Sequence, residues 1–157
     1  MTKPASFITV ERLWQFSLQY YAMRGVKEAC LSLQNNFDGN VNLLLLLKCL
    51  DEQQLTFHRN DWSQVQQALL RTETLLLHYR KLRKKTKSHV PATLYRESLE
   101  FELLLEKQQQ SDLVQCINTL ELTTNNKEPL TLAYCRSLNA EHLFTATFAK
   151  HSTKTSS

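Results

Sequence analysis

The sequence predicts an all-α protein: a single-domain helical bundle of about six to seven helices around a central leucine-rich helix. Three observations carry this. Only two glycines and three prolines occur in 157 residues, too few for the many tight turns of a strand-rich fold. Apolar residues recur at three- and four-residue steps along most of the chain. The segment from Asn40 to Leu50 holds leucine at five consecutive positions, Leu43 to Leu47. A helix that is apolar almost all round needs neighbours on most sides. Leucine forms helices well and is not β-branched, so this run reads as helix rather than strand.

A chain of this length is expected to form one domain, here over residues 5–150, with a small polar tail at 151–157 that frays. Its size allows burial of roughly 70% of the surface that the unfolded chain exposes. The first helix is expected over Phe7 to Tyr21, with Phe7, Val10, Trp14, Leu18 and Tyr21 on one face, ended by Gly25 as a left-handed cap. The second spans Val26 to Phe37, with Val26, Ala29, Cys30, Leu33 and Phe37 as its stripe. Asp38-Gly39 is a turn, and Asn40 caps the leucine helix, which fades near Asp51-Glu52. A loop at Thr56 to Asn60 precedes a fourth helix opened by Asp61, with Gln64 completing a capping box. Its stripe of Trp62, Val65, Leu69, Thr72, Leu76 and Tyr79 runs unbroken for about five turns.

Thr86 to Val90 reads as a linker, and Pro91 suits the start of the next helix. Leu94, Ser98, Phe101 and Leu105 mark the expected inner side of that helix. The apolar phase then shifts to Leu113, Cys116, Ile117 and Leu120. This implies a kink near Gln108-Ser111 or a new helix capped by Ser111. Thr123 to Lys127 is a polar loop, Pro129 opens a further helix, and Asn139 caps a last short one.

The formal charge of +4 is unevenly placed. Arg80, Lys81, Arg83, Lys84, Lys85 and Lys87 fall within eight residues. Without them, 13 basic residues face 15 acidic ones, so this segment supplies all the positive excess. Favourable interaction with a helix C-terminus accounts for one or two such charges, at about 0.3–1 kcal/mol each. The four cysteines lack CxxC spacing and read as buried thiols of a reducing compartment. No secretory signal opens the sequence, and the leucine run is about half the length of a membrane crossing. The expected location is the cytoplasm, with no membrane contact.

Trp14-Gln15-Phe16-Ser17-Leu18, then Gly25-Val26-Lys27-Glu28-Ala29-Cys30-Leu31-Ser32-Leu33-Gln34, then Val41-Asn42-Leu43-Leu44-Leu45 resembles a family of small gammaproteobacterial proteins of unknown function. The family pattern is W-x-F-S-L, G-V-x-E-A-C-L-x-L-Q and V-N-L-L-L. Trp62 and the basic run from Arg80 look like its later landmarks. The resemblance implies a compact, all-helical bacterial protein and carries no activity, cofactor or catalytic residue.

The chemistry-bearing motifs are few. Phosphate-cradling loops need closely spaced glycines, and Gly25 and Gly39 are fourteen positions apart. His58, His78 and His142 have no second histidine or cysteine at i+3 or i+4. The glutamate pairs Glu97/Glu100 and Glu102/Glu106 lack the Glu-x-x-His element of a di-metal helical site. No catalytic residue, metal or cofactor is assigned.

Three readings remain. The first is a non-enzymatic interaction protein that presents Arg80, Lys81, Arg83, Lys84, Lys85 and Lys87 to an acidic protein surface. The second is a nucleic-acid (RNA) binding protein that uses the same segment. The third is a small-molecule binder or enzyme with an inter-helix pocket lined by Trp14, Tyr20, Tyr21 and Asn42. A solvated helix end balanced by the protein's own acidic helix competes with the first two.

Overall fold

The computed structural model describes residues 8–150. Phe7, expected to begin the first helix, and the tail at 151–157 lie outside the described residues. The element order is α1 (Val10–Tyr21), α2 (Val26–Phe37), α3 (Val41–Glu52), β1 (Leu55–Thr56), a 3-10 turn (Arg59–Asp61), α4 (Trp62–Gln67), α5 (Leu70–Thr86), α6 (Ala92–Ile117), β2 (Thr123–Thr124), α7 (Leu130–Ser137) and α8 (Glu141–Leu143), which continues into a π-helical turn (Phe144–Phe148). The all-α expectation holds. The two short strands pair antiparallel, Leu55 with Thr124 and Thr56 with Thr123. Among the described residues no helix is long and apolar enough to cross a membrane.

The core is built on α3. Every residue from Asn42 to Leu50 is buried, and α1, α2, α6 and α7 all pack against the helix. Fully burying a leucine stabilises a fold by about 1.5–3 kcal/mol, so this run supplies a large part of the stabilising energy. The start of α3 follows the sequence signals. Asn40 Oδ1 accepts from the Leu43 N–H at 2.8 Å. Asp38, not Gly39, takes the left-handed conformation, with φ 58°. Gly39 is needed for space, because a Cβ there would sit 2.5 Å from Leu33 Cγ and 2.9 Å from Leu138 Cδ1.

Several boundaries differ from the sequence reading. Gly25 is left-handed, but it stands immediately before α2, and α1 already ends at Ala22. Asp61 makes no side-chain cap; His58 Nδ1 instead accepts from the Asn60 N–H at 3.1 Å. The expected five-turn fourth helix breaks at Ala68-Leu69 into α4 and α5. Conversely, α6 is one unbroken helix of 26 residues, with no new start at Ser111. Its apolar phase shifts because its neighbours change. The first half touches α5, through the Tyr79 ring tilted against Phe101 at 5.3 Å and the Tyr79 hydroxyl donating to the Ser98 carbonyl at 2.8 Å. The second half enters the core and buries Gln109, Gln110, Leu113, Val114 and Ile117. Asn139 has φ 60° and precedes Ala140, the residue at the cap position of α8.

Two charged side chains at the end of α3 bind the C-terminal elements. Asp51 accepts from the backbone N–H groups of Leu130 at 2.7 Å and Thr131 at 3.0 Å, and from the Thr131 hydroxyl. The anion thus occupies the N-terminus of α7, where unpaired N–H groups favour it. Lys48 is buried, donates to the Phe148 carbonyl at 2.8 Å, and lies 5.7 Å from the centre of the Tyr20 ring. Burial pushes its pKa down, against the pull of Glu52 and Asp51.

Replacing Asp51 with Ala removes three hydrogen bonds and leaves the first turn of α7 uncapped. The expected loss is about 1–3 kcal/mol of unfolding free energy, measured by denaturant titration. An unchanged midpoint would show that α7 docks without its cap.

Candidate functional site

The residues that matter for function meet where α6 crosses α1 and α3 beside the α5–α6 hairpin. At the floor lies a chain of amides whose orientation is set from both ends. Asn40 Oδ1 is occupied by the Leu43 N–H, so its Nδ2 donates, to Glu73 at 2.8 Å and to Gln109 Oε1 at 3.1 Å. Gln109 Oε1 also accepts from Asn42 Nδ2 at 2.9 Å. Asn42 Oδ1 therefore faces Gln110 Nε2, at 3.1 Å, which donates as well to Ser17 Oγ at 3.0 Å. The Ser17 hydroxyl gives its own proton to the Leu13 carbonyl at 2.7 Å. Backbone groups pin both ends, so no amide in the chain can be reversed without losing bonds. One consequence is that Gln109 Nε2 and Gln110 Oε1, in side chains 0% and 1% exposed, have no partner among the described residues. Such groups are rare, because a buried unpaired amide costs about 1–3 kcal/mol.

Above this floor a pocket of about 420 Å³ opens to solvent. Trp14, Leu18 and Tyr21 of α1, with Leu31, Val41 and Leu45, form its apolar wall. Arg80, Arg83 and Lys84 of α5, with Glu102, Leu103 and Glu106 of α6, form the charged wall. Ser17, Asn42 and Gln110 contribute polar atoms to the floor. Three of the four expected pocket residues, Trp14, Tyr21 and Asn42, thus come together. Tyr20 does not join them. It is fully buried, stacked on Phe16 at 5.6 Å, and its hydroxyl has no partner among the described residues.

The basic segment divides. Arg80 reaches Glu102 at 3.4 Å and Glu106 at 3.0 Å. Arg83 pairs with Glu102 and also donates to the Tyr95 hydroxyl at 3.1 Å. These two arginines belong to the α5–α6 contact, which is the internal balance that the sequence offered as an alternative. Lys81, Lys84, Lys85 and Lys87 are exposed, Lys87 over the Tyr95 ring at 5.6 Å. Burial raises the pKa of Glu106, while Arg80 opposes the rise.

The histidines take no part in this arrangement. His58 and His78 are exposed, and the His142 ring meets Phe37 edge-on at 5.3 Å. All four cysteines are free thiols. Burial raises Cys30 and Cys135 to about 12, far from a reactive thiolate. Cys116 is only partly buried, unlike the other three. Among the described residues no group of three or more His, Cys, Asp or Glu could hold a metal ion.

Gln109, Gln110 and Lys48 were not singled out from the sequence. Paired glutamines ordinarily mark a solvated face. The available signal was their position between Leu105 and Leu113, on the stripe that carries α6 into the core.

The family described as a protein of unknown function, DUF2390, matches residues 12–113. The chain belongs to this family. No curated protein and no solved structure matches it. The DUF2390 match runs from α1 into the buried half of α6, so every pocket residue from Trp14 to Gln110 lies within it.

The sign of the Glu106 shift gives a pH test. A carboxyl with a raised folded-state pKa binds a proton more readily folded than unfolded, so its contribution to stability grows as pH falls. The unfolding free energy of the wild type relative to Glu106→Gln is expected to rise from neutral pH downward and to level off below 4.5, the ordinary value. Paired denaturation curves across that range check this. A difference that stays flat would remove the desolvated carboxylate from the account.

Proposed function

We propose that this protein is a non-enzymatic interaction protein of the cytoplasm whose α5–α6 hairpin docks onto a protein partner. The observation that carries this reading is an uncovered apolar face. Leu75 and Leu82 lie seven residues apart on α5, as do Leu94 and Phe101 on α6, and all four are about half exposed or more. Each pair shares a helix face. Each residue also directly precedes one that meets the other helix or is buried: Leu76, Arg83, Tyr95 and Glu102. In an antiparallel hairpin that offset puts both pairs on the same side.

Isolated exposed leucines are ordinary, but a contiguous set rimmed by charge is typical of docking surfaces. Lys81, Lys85 and Lys87 supply positive charge along the same arm, which suits a partner with apolar anchors among acidic residues. The apolar content favours protein over nucleic acid, whose complexes are more polar and more strongly cationic. The free thiols support a reducing compartment.

The test is affinity capture from native extract with wild type and with Leu82→Glu/Leu94→Glu, with and without nuclease. A captured protein that survives nuclease and is lost at least tenfold in the double variant, with helicity and melting preserved, is the expected result. A partner lost to nuclease, or labelled RNA or DNA bound at low salt, would move the role to nucleic acid. Equal capture by both proteins would end the docking reading.

A further inference from the structure

The pocket beside the hairpin carries an inference separate from docking on the hairpin's apolar face. We infer that it is a binding site for a small, flat, anionic molecule that presents an N–H donor to Gln110 Oε1. Three features define this chemistry. First, Gln110 is 1% exposed and contributes to the pocket floor, and its Oε1 has no donor among the described residues. The amide cannot turn to cure this, because Nε2 is already committed to Ser17 and Asn42. An N–H on an occupant that reaches the floor would supply the missing donor. Sites that leave a buried acceptor for a ligand N–H reject analogues lacking that hydrogen.

Second, Trp14 and Tyr21 present aromatic surface beside aliphatic side chains, which suits a planar apolar body. The volume of about 420 Å³ falls among those of small-molecule sites. Third, the charges at the mouth do not cancel. Arg80 and Arg83 are matched by Glu102 and Glu106, whereas Lys84 has no acidic partner among the described residues. A second cation, Lys107, stands 5.7 Å from the centre of the Trp14 ring. The net field favours a carboxylate or similar anion at the outer end.

Indole-3-acetate has all three features: a ring N–H, a flat body and a carboxylate. Its 1-methyl derivative lacks only the donor. Titration of the full-length ¹⁵N-labelled protein with each, followed by NMR, tests the inference. Indole-3-acetate is expected to shift the side-chain amide resonances of Asn42 and Gln110 and the indole N–H of Trp14. The methylated compound is expected to bind about tenfold more weakly, the cost of leaving the acceptor unpaired. Lys84→Ala, on the exposed surface, should weaken indole-3-acetate severalfold and reduce the salt dependence of its binding. Gln110→Leu should abolish the discrimination between the two compounds. No shifts at these amides up to millimolar ligand, equal binding of the methylated compound, or shifts confined to the Leu82–Phe101 face would each overturn the assignment.

Discussion

The structure depends on the enclosure of α3. A helix that buries every residue from Asn42 to Leu50 must be covered from several directions at once, and α1, α2, α6 and α7 are placed by that demand. Apolar burial supplies the energy but little direction, since leucine surfaces slide over one another at small cost. Direction comes from the polar points on the same helix. Asn40 and Asn42 engage Gln109, and Asn42 with Ser17 engages Gln110, so α6 is fixed in both rotation and height against α1 and α3. Each such bond contributes only about 0.5–1.5 kcal/mol net. A register error would instead leave several buried amides unpaired together, which is the stronger constraint.

The other end of α3 repeats this with charge. Asp51 caps α7, and Lys48 donates to the last carbonyl of the π-helical turn. Both groups stay where burial disfavours their charged forms, as their displaced pKa values reflect. Residues in the first third of the chain therefore position elements near residue 130 and near residue 148. A buried ion is weak evidence for stability in itself, because its desolvation offsets much of the attraction. Its effect here is to specify where the C-terminal helices sit.

Much of this was legible from local signals. The bounds of α2, the cap at Asn40 and the length of α3 follow from residues that act within one turn, so tertiary context had little to override. The hairpin was misread by one residue on α6. Leu94 and Phe101 were expected to face inward, yet Tyr95 and Glu102 fill the contact, while Leu94 is exposed and Phe101, half exposed, meets α5 only at Tyr79. The reason is that α5 presents Arg80 and Arg83 there, and their stems and guanidinium groups take the place that an apolar stripe would fill. A rule that follows apolar residues then finds the outer face. Gln109 and Gln110 escaped for the converse reason: their partners lie 67 to 93 residues away, and no pattern within α6 could disclose them. Tyr20 was grouped with Trp14 and Tyr21 because all three are aromatic on one helix, but a step of one residue from Tyr21 turns Tyr20 by about 100° into the core.

The two sides of the hairpin have different foundations. Its inner contact is a tilted ring pair, a hydroxyl–carbonyl bond and largely buried ion pairs, and desolvation of the charges offsets much of the attraction in such pairs. The amide floor rests on the most deeply buried part of the molecule. The pocket thus joins a wall on a weakly held arm to a floor on a strongly held core. Local opening costs least where buried apolar contacts are fewest, so the width of the pocket follows the arm rather than the core. Lys84 and Leu103 line the pocket, while Leu82 and Phe101, their neighbours in sequence, face away from it on the open apolar side. A partner that covered that side would stiffen the wall, and a ligand in the pocket would hold the arm in the position it presents outward. Any coupling between the two faces would run through the hairpin and would act equally in both directions.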